Sequence, residues 1–139
     1  MVEGLSVEQW VTLCPDEGRT VGVLARHVAA SIPFEMAYFR KFAAGHQPAL
    51  ITLADLHAQN AADADEWANC TKDEVLPLLH SYAAAAAAEI RQWDDEQFLQ
   101  VGMCVQGGPT RTVEQWIDRT LCGHIRDHLQ STRVTLALG

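Results

Sequence analysis

The sequence predicts an all-α protein, an antiparallel four-helix bundle with a long crossover connection and a short additional N-terminal helix. Three observations predict it. Apolar residues recur at helical spacing over four long stretches, Ser or Thr capping signals open the predicted helices, and no stretch alternates with the period of two that marks a half-buried strand. No repeat period appears, so residues 1–139 are read as one helical-bundle domain, long enough to bury its own core.

In chain order, Ser6-Val-Glu-Gln9 has the form of a capping box and predicts a short helix to about Leu13, ended by Cys14-Pro-Asp-Glu-Gly18. Thr20 is the N-cap of a long helix to about Ala44, with Leu24, His27, Val28, Ser31, Ile32, Glu35, Tyr38, Phe39 and Phe42 on one side. Pro33 falls inside that pattern and removes one backbone donor, which predicts a bend and not a break. Gly45 suits a C-terminal cap, and 46–51 is a connecting loop. Thr52 opens a helix to about Asn69, and Thr71-Lys-Asp-Glu74 is a second capping box whose helix passes through Ala83–Ala88 to Trp93. The alanine run has high helix propensity and small side chains, so it reads as a packed segment against a close neighbour. Phe98–Pro109 is a connection with a Gly-Gly-Pro turn and no phosphate-loop ending, and Thr112-Val-Glu-Gln115 caps the last helix.

Composition narrows the function. The chain has a formal net charge of −8, a poor counter-surface for phosphate backbones or anionic lipid, so neither nucleic acid nor a membrane is an expected partner. No apolar run approaches the roughly 18 residues of a membrane span, and no basic-then-apolar leader opens the sequence, so a cytoplasmic location is expected. Cys14, Cys70, Cys104 and Cys122 are scattered without a CxxC pair and read as reduced thiols.

The chemistry-bearing feature is in the last helix. His124 and His128 stand four residues apart, one turn, on the stripe that includes Ile117 and Leu121, so both imidazoles point inward. His27 lies inside the apolar stripe of the second predicted helix. If the two helices are neighbours in register, three imidazoles meet in the core. Three neutral imidazoles suit a divalent transition metal such as zinc, nickel, iron or copper and not calcium or magnesium, and a three-ligand site keeps positions open for water or substrate. Against this stands the plainer reading of three hydrogen-bonded core histidines.

Pro15-Asp-Glu-Gly-Arg-Thr-Val-Gly-Val-Leu-Ala-Arg-His27-Val-Ala, with Thr112-Val-Glu-Gln-Trp-Ile and Gly123-His-Ile-Arg-Asp-His-Leu129 about a hundred residues later, resembles the DinB-like (YfiT-like) metalloenzyme superfamily. That superfamily includes metal-dependent S-transferases that use mycothiol or bacillithiol. The resemblance runs from about Ser6 to Arg133, and it implies an antiparallel four-helix bundle whose metal triad falls on His27, His124 and His128. It also implies an enzyme in which the bound metal activates a low-molecular-weight thiol, or water, for attack on an electrophilic small molecule. Pairing as a homodimer is implied too. The alternative is a non-catalytic metal- or ligand-binding bundle with a stress or resistance role.

Other residues are candidates for the cleft. Leu56-His-Ala-Gln-Asn60 resembles a cleft-facing helix of some relatives, which implies that His57 and Asn60 orient water or substrate; an ordinary polar helix face is the competing reading. Phe34 and Tyr38 lie seven and eleven residues beyond His27, near the same azimuth, and are candidates for a pocket wall. Glu35 could serve as a general base if it reaches the cleft, but at about 80° from His27 around the helix a solvated or edge position is expected, and Cys122 is expected roughly on the opposite side from His124.

Overall fold

The structure is a computed structural model and describes residues 1–138. It is mostly helical, with two small two-stranded sheets. A 3-10 turn at Val2–Gly4 leads into α1 (Val7–Trp10), where the Ser6 hydroxyl takes the Gln9 amide and the Gln9 side chain returns to Ser6. The helix ends at Trp10, earlier than expected. The chain then forms a hairpin, in which β1 (Leu13–Cys14) pairs antiparallel with β2 (Arg19–Thr20). Cys14 carbonyl accepts from the amides of Glu17 and Gly18, and Gly18 has φ 65°, a conformation that favours glycine. The Cys14–Gly18 segment therefore does not merely stop a helix; it folds the chain back.

Thr20 caps α2 (Val21–Ala43), and the helix continues through Pro33 without interruption. Its inner face carries Leu24, Val28, Ile32, Met36, Phe39 and Phe42, all buried. Next come α3 (Leu53–Glu66) and α4 (Lys72–Ile90), capped by Thr52 and by the Thr71/Glu74 box as expected, each about three residues shorter than the sequence suggests. In both cases the chain turns off early, with Cys70 amide bonding Trp67 carbonyl and Trp93 amide bonding Ile90 carbonyl. Of the alanines in 83–88 only Ala86 is buried, so the run is largely an outer face and not the packed segment expected.

The stretch read as a plain connection is more structured. Asp94 and Gln97 form another capping box for α5 (Asp95–Leu99), and β3 (Val101–Gly102) pairs antiparallel with β4 (Arg111–Thr112). Strands of two residues are too short to show an alternating pattern, which is why neither ladder is legible in the sequence. The Thr112/Gln115 box then opens α6 (Val113–Trp116), which runs into a π-helical turn at Ile117–Cys122 and on into α7 (Gly123–Thr135).

The main core joins Ile32, Met36, Phe39 and Phe42 of α2 to Ala86 of α4, Val113 and Trp116 of α6 and Leu121 of the π-helical turn. Trp116 indole N–H donates to Gly102 carbonyl at 2.9 Å, tying β3 to that core. Two smaller clusters pack the N-terminal segment, Leu5 and Cys14 against Val21 and Leu24, and Trp10 against Ala25, Cys70 and Val75. α3 has no buried residue and lies beside a cleft. No helix among the described residues is long and apolar enough to cross a membrane, and the four cysteines are free thiols.

Candidate metal centre and cleft

α2 and α7 pack together, and this brings His27 beside His124 and His128 although 97 residues separate the first two. His27 Nε2 lies 3.0 Å from His124 Nε2, and His128 Nε2 lies 2.8 Å from the same atom. The rings meet edge to face, with centroids 4.5 to 5.2 Å apart, so they radiate from a common point. The trio's ligand atoms all fall within 4.8 Å of one another. The His124–His128 step lies wholly within α7. The π-helical turn before it breaks the constant angle per residue, so the stripe extrapolated from Ile117 and Leu121 holds only approximately.

Hydrogen bonding alone does not satisfy this arrangement. His128 Nδ1 stands 2.8 Å from Glu17 Oε1, and a carboxylate only accepts, so Nδ1 carries the proton and a neutral His128 turns a bare lone pair toward His124. A neutral His124 has one state at Nε2. If that atom is bare, it faces the lone pair of His128; if it bears hydrogen, it can donate to one neighbour and accept from neither. Both short contacts cannot be hydrogen bonds among neutral imidazoles, and a shared cation removes the conflict. Two nitrogens each about 2.0 to 2.1 Å from one ion are about 2.8 to 3.0 Å apart at the right angle of octahedral coordination and about 3.3 Å apart at the tetrahedral angle, so the two contacts are of the spacing that ligands of one ion have. Burial and the neighbouring imidazoles push the His27 imidazole down to about 3, so it is uncharged and its lone pair is available at neutral pH.

Carboxylates back the outer nitrogens. Glu17 reaches His128 from the hairpin turn, and beside it Asp16 accepts from Ser131 Oγ at 2.5 Å, which anchors the turn on α7. Glu35 Oε1 lies 3.5 Å from His124 Nδ1, with that Nδ1 and Glu35 Oε2 both buried and without a hydrogen-bond partner. Glu35 is not in the solvated position expected for it; its side chain is 12 % exposed and reaches the cleft wall. Two turns beyond His27, it lies beside His124 of α7, the helix that packs against α2.

A cleft of about 550 Å³ opens from His27 and His124. Phe34, Tyr38, Phe39, Trp116, Ile51 and Leu56 supply apolar wall, and Glu35, Asn60, Asp63, Thr120, Arg119 and Asp127 supply polar groups. Phe34 and Tyr38 stand on the cleft wall. Asn60 lines the cleft, but His57 does not; it is exposed, because the face of α3 turned to the cleft carries Leu56, Gln59, Asn60 and Asp63. Cys104, also on the wall, is pushed up to about 12 by burial and by the nearby Glu35, which keeps it a thiol. Sequence reasoning missed Glu17, Asp63, Arg119 and Asp127. None of these four carried a local signal, whereas Glu35 did, through its helical offset from His27.

Fold and site together define a mostly helical protein with a three-histidine cluster suited to one metal ion at the end of an apolar-walled cleft. No protein-family model, curated protein or solved structure matches the chain.

Proposed function

We propose that this chain is a divalent-metal-dependent enzyme of the DinB-like superfamily, built as an antiparallel four-helix bundle from α2, α3, α4 and the helix running from α6 to α7. Its proposed activity is of the small-thiol S-transferase type. His27, His124 and His128 hold the ion, zinc, nickel or iron being the imidazole-loving candidates. Such an ion supplies Lewis acidity that lowers the pKa of a thiol or water at its open position, making a nucleophile at neutral pH. The chain's own residues do the rest. Glu17 holds His128 in the tautomer that presents Nε2, Glu35 flanks Nδ1 of His124, and the wall of Phe34, Tyr38 and Trp116 takes the apolar part of an electrophilic substrate. The resemblance in the Pro15–Ala29 and Gly123–Leu129 segments supports the superfamily; the activity rests on that resemblance together with the cleft.

The single observation that carries the metal reading is the pair of Nε2 contacts at 2.8 and 3.0 Å that neutral imidazoles cannot both satisfy. The test is the metal content of untagged protein, with one ion per chain expected and loss of that ion in His128→Ala. No stoichiometric ion in either protein ends the reading. Turnover separates an enzyme from a protein that only binds: thiol consumption with a panel of electrophiles should require the loaded protein and vanish on metal removal.

A further inference from the structure

The Glu35 carboxylate sits on the cleft wall with acceptor capacity unused: Oε2 has no partner, and Oε1 has only the 3.5 Å approach of His124 Nδ1. Oε1 stands beside His124 Nδ1, the unpartnered donor next to it, but a buried Oε2 without a donor is costly, so this oxygen is matched to a donor that arrives from outside the chain. The other charges on the cleft leave it that role. Arg26 is not on the cleft wall; it lies 3.9 Å from Asp63 and over the Trp67 ring at 4.3 Å, while Arg119 and Asp127 on the wall are exposed residues of opposite sign. Among the described residues, no side chain on the wall presents a buried cation that would receive a carboxylate or phosphate. Glu35 shares the cleft wall with Phe34 and Tyr38, whose rings lie 5.6 Å apart, and with Trp116, so the cleft offers aromatic surface to an apolar body beside the acceptor.

We infer that the cleft takes a small molecule with an apolar, aromatic-sized body and a nitrogen head, an amine or amidine, that donates N–H to Glu35. A slight rotation of the terminal carboxylate, a soft torsion, turns Oε2 to the ligand while Oε1 stays beside His124 Nδ1. A cationic nitrogen head gains a charge-assisted bond to that oxygen. This deepens the proposed function by naming the ligand class of the same cleft, but it rests on the cleft wall and not on the metal.

Benzamidine is the probe, because its protonated head has N–H donors and no free lone pair for a metal. Benzyltrimethylammonium is the control, a similar cation without any N–H. Calorimetric titration of metal-free and zinc-loaded protein should show benzamidine binding and at least a tenfold weaker Kd for the control. Glu35→Gln, which keeps the shape and removes the charge, should weaken benzamidine by about 10- to 100-fold. Equal binding of the two cations, no binding of benzamidine, or an unchanged Kd in Glu35→Gln overturns the inference. Should Glu35→Gln fail to fold by circular dichroism, Phe34→Ala at its half-exposed wall position should still weaken benzamidine, and an unchanged Kd there overturns it. His128→Ala separates the two readings. Benzamidine binding that survives in that variant while zinc is lost supports the cleft independently, whereas wild-type protein that binds zinc but not benzamidine sinks this inference and leaves the metal reading intact.

Discussion

Glu17→Ala removes the acceptor at 2.8 Å from His128 Nδ1 and so releases the ring to change tautomer or turn away. Loss of a partner of this kind costs about 10- to 100-fold in metal affinity, or about 1.4 to 2.7 kcal/mol. An ion that binds only the folded chain stabilises it by RT ln(1 + [L]/Kd), about 2.7 kcal/mol when free ion stands at a hundred times Kd. For 139 residues, an unfolding entropy near 2.1 cal/mol/K per residue converts each kcal/mol into about 3.4 °C of Tm. Zinc buffered at that concentration should therefore raise the wild-type Tm by about 9 °C, and that of Glu17→Ala by only about 1 to 5 °C. The metal-free variant should melt close to wild type, because Glu17 is at a partly exposed turn that Asp16 still anchors to Ser131. Differential scanning calorimetry in a chelator-buffered zinc series measures all four temperatures. An undiminished zinc shift in Glu17→Ala would refute the assignment of Glu17, and an undiminished shift in His128→Ala would refute the site itself.

Other consequences are equally direct. The His27 imidazole is held down to about 3 in the folded metal-free chain against an ordinary value of 6.5, so between those values the unfolded chain binds more protons. Its contribution to stability is complete above about pH 6.5 and is lost as pH falls toward 3; urea midpoints at pH 7 and pH 5 should differ less in His27→Gln than in wild type. Cys104, pushed up to about 12, should carry about a thousandfold less thiolate at pH 8 than an ordinary thiol, so iodoacetamide should label it in the native protein far more slowly than after denaturation; equal rates would contradict its burial. Gly102→Ala would drive a Cβ into the Phe42 ring in the main core, at a cost of about 1 to 3 kcal/mol readable as a lower urea midpoint; an unchanged midpoint would show that β3 can move aside.

The capping signals are the most legible part of the chain. Ser6, Thr20, Thr52, Thr71 and Thr112 each take the amide three residues on, because that bond is made within one turn and depends on nothing distant. The inward direction of His124 and His128 is legible for the same reason, being one turn of α-helix. The two hairpins are not, since a two-residue ladder has no periodicity to read, and neither is the π-helical turn, whose widened winding answers to packing around Leu121 and Trp116. His57 fails because a spacing of three residues says which residues share a face but not which face meets the cleft.

Residue order alone thus specifies the long helices, their start points and which histidines share a stripe, all consequences of interactions within a few residues of chain. Packing between elements sets the rest: that α2 lies against α7 with His27 level with His124, that the hairpin turn delivers Glu17 to His128, and that Glu35 enters the cleft wall. Those contacts join residues as far as 111 positions apart. Their register is set by how Phe39, Phe42, Trp116 and Leu121 fill one shared core, a packing condition on all the elements at once that no local pattern encodes.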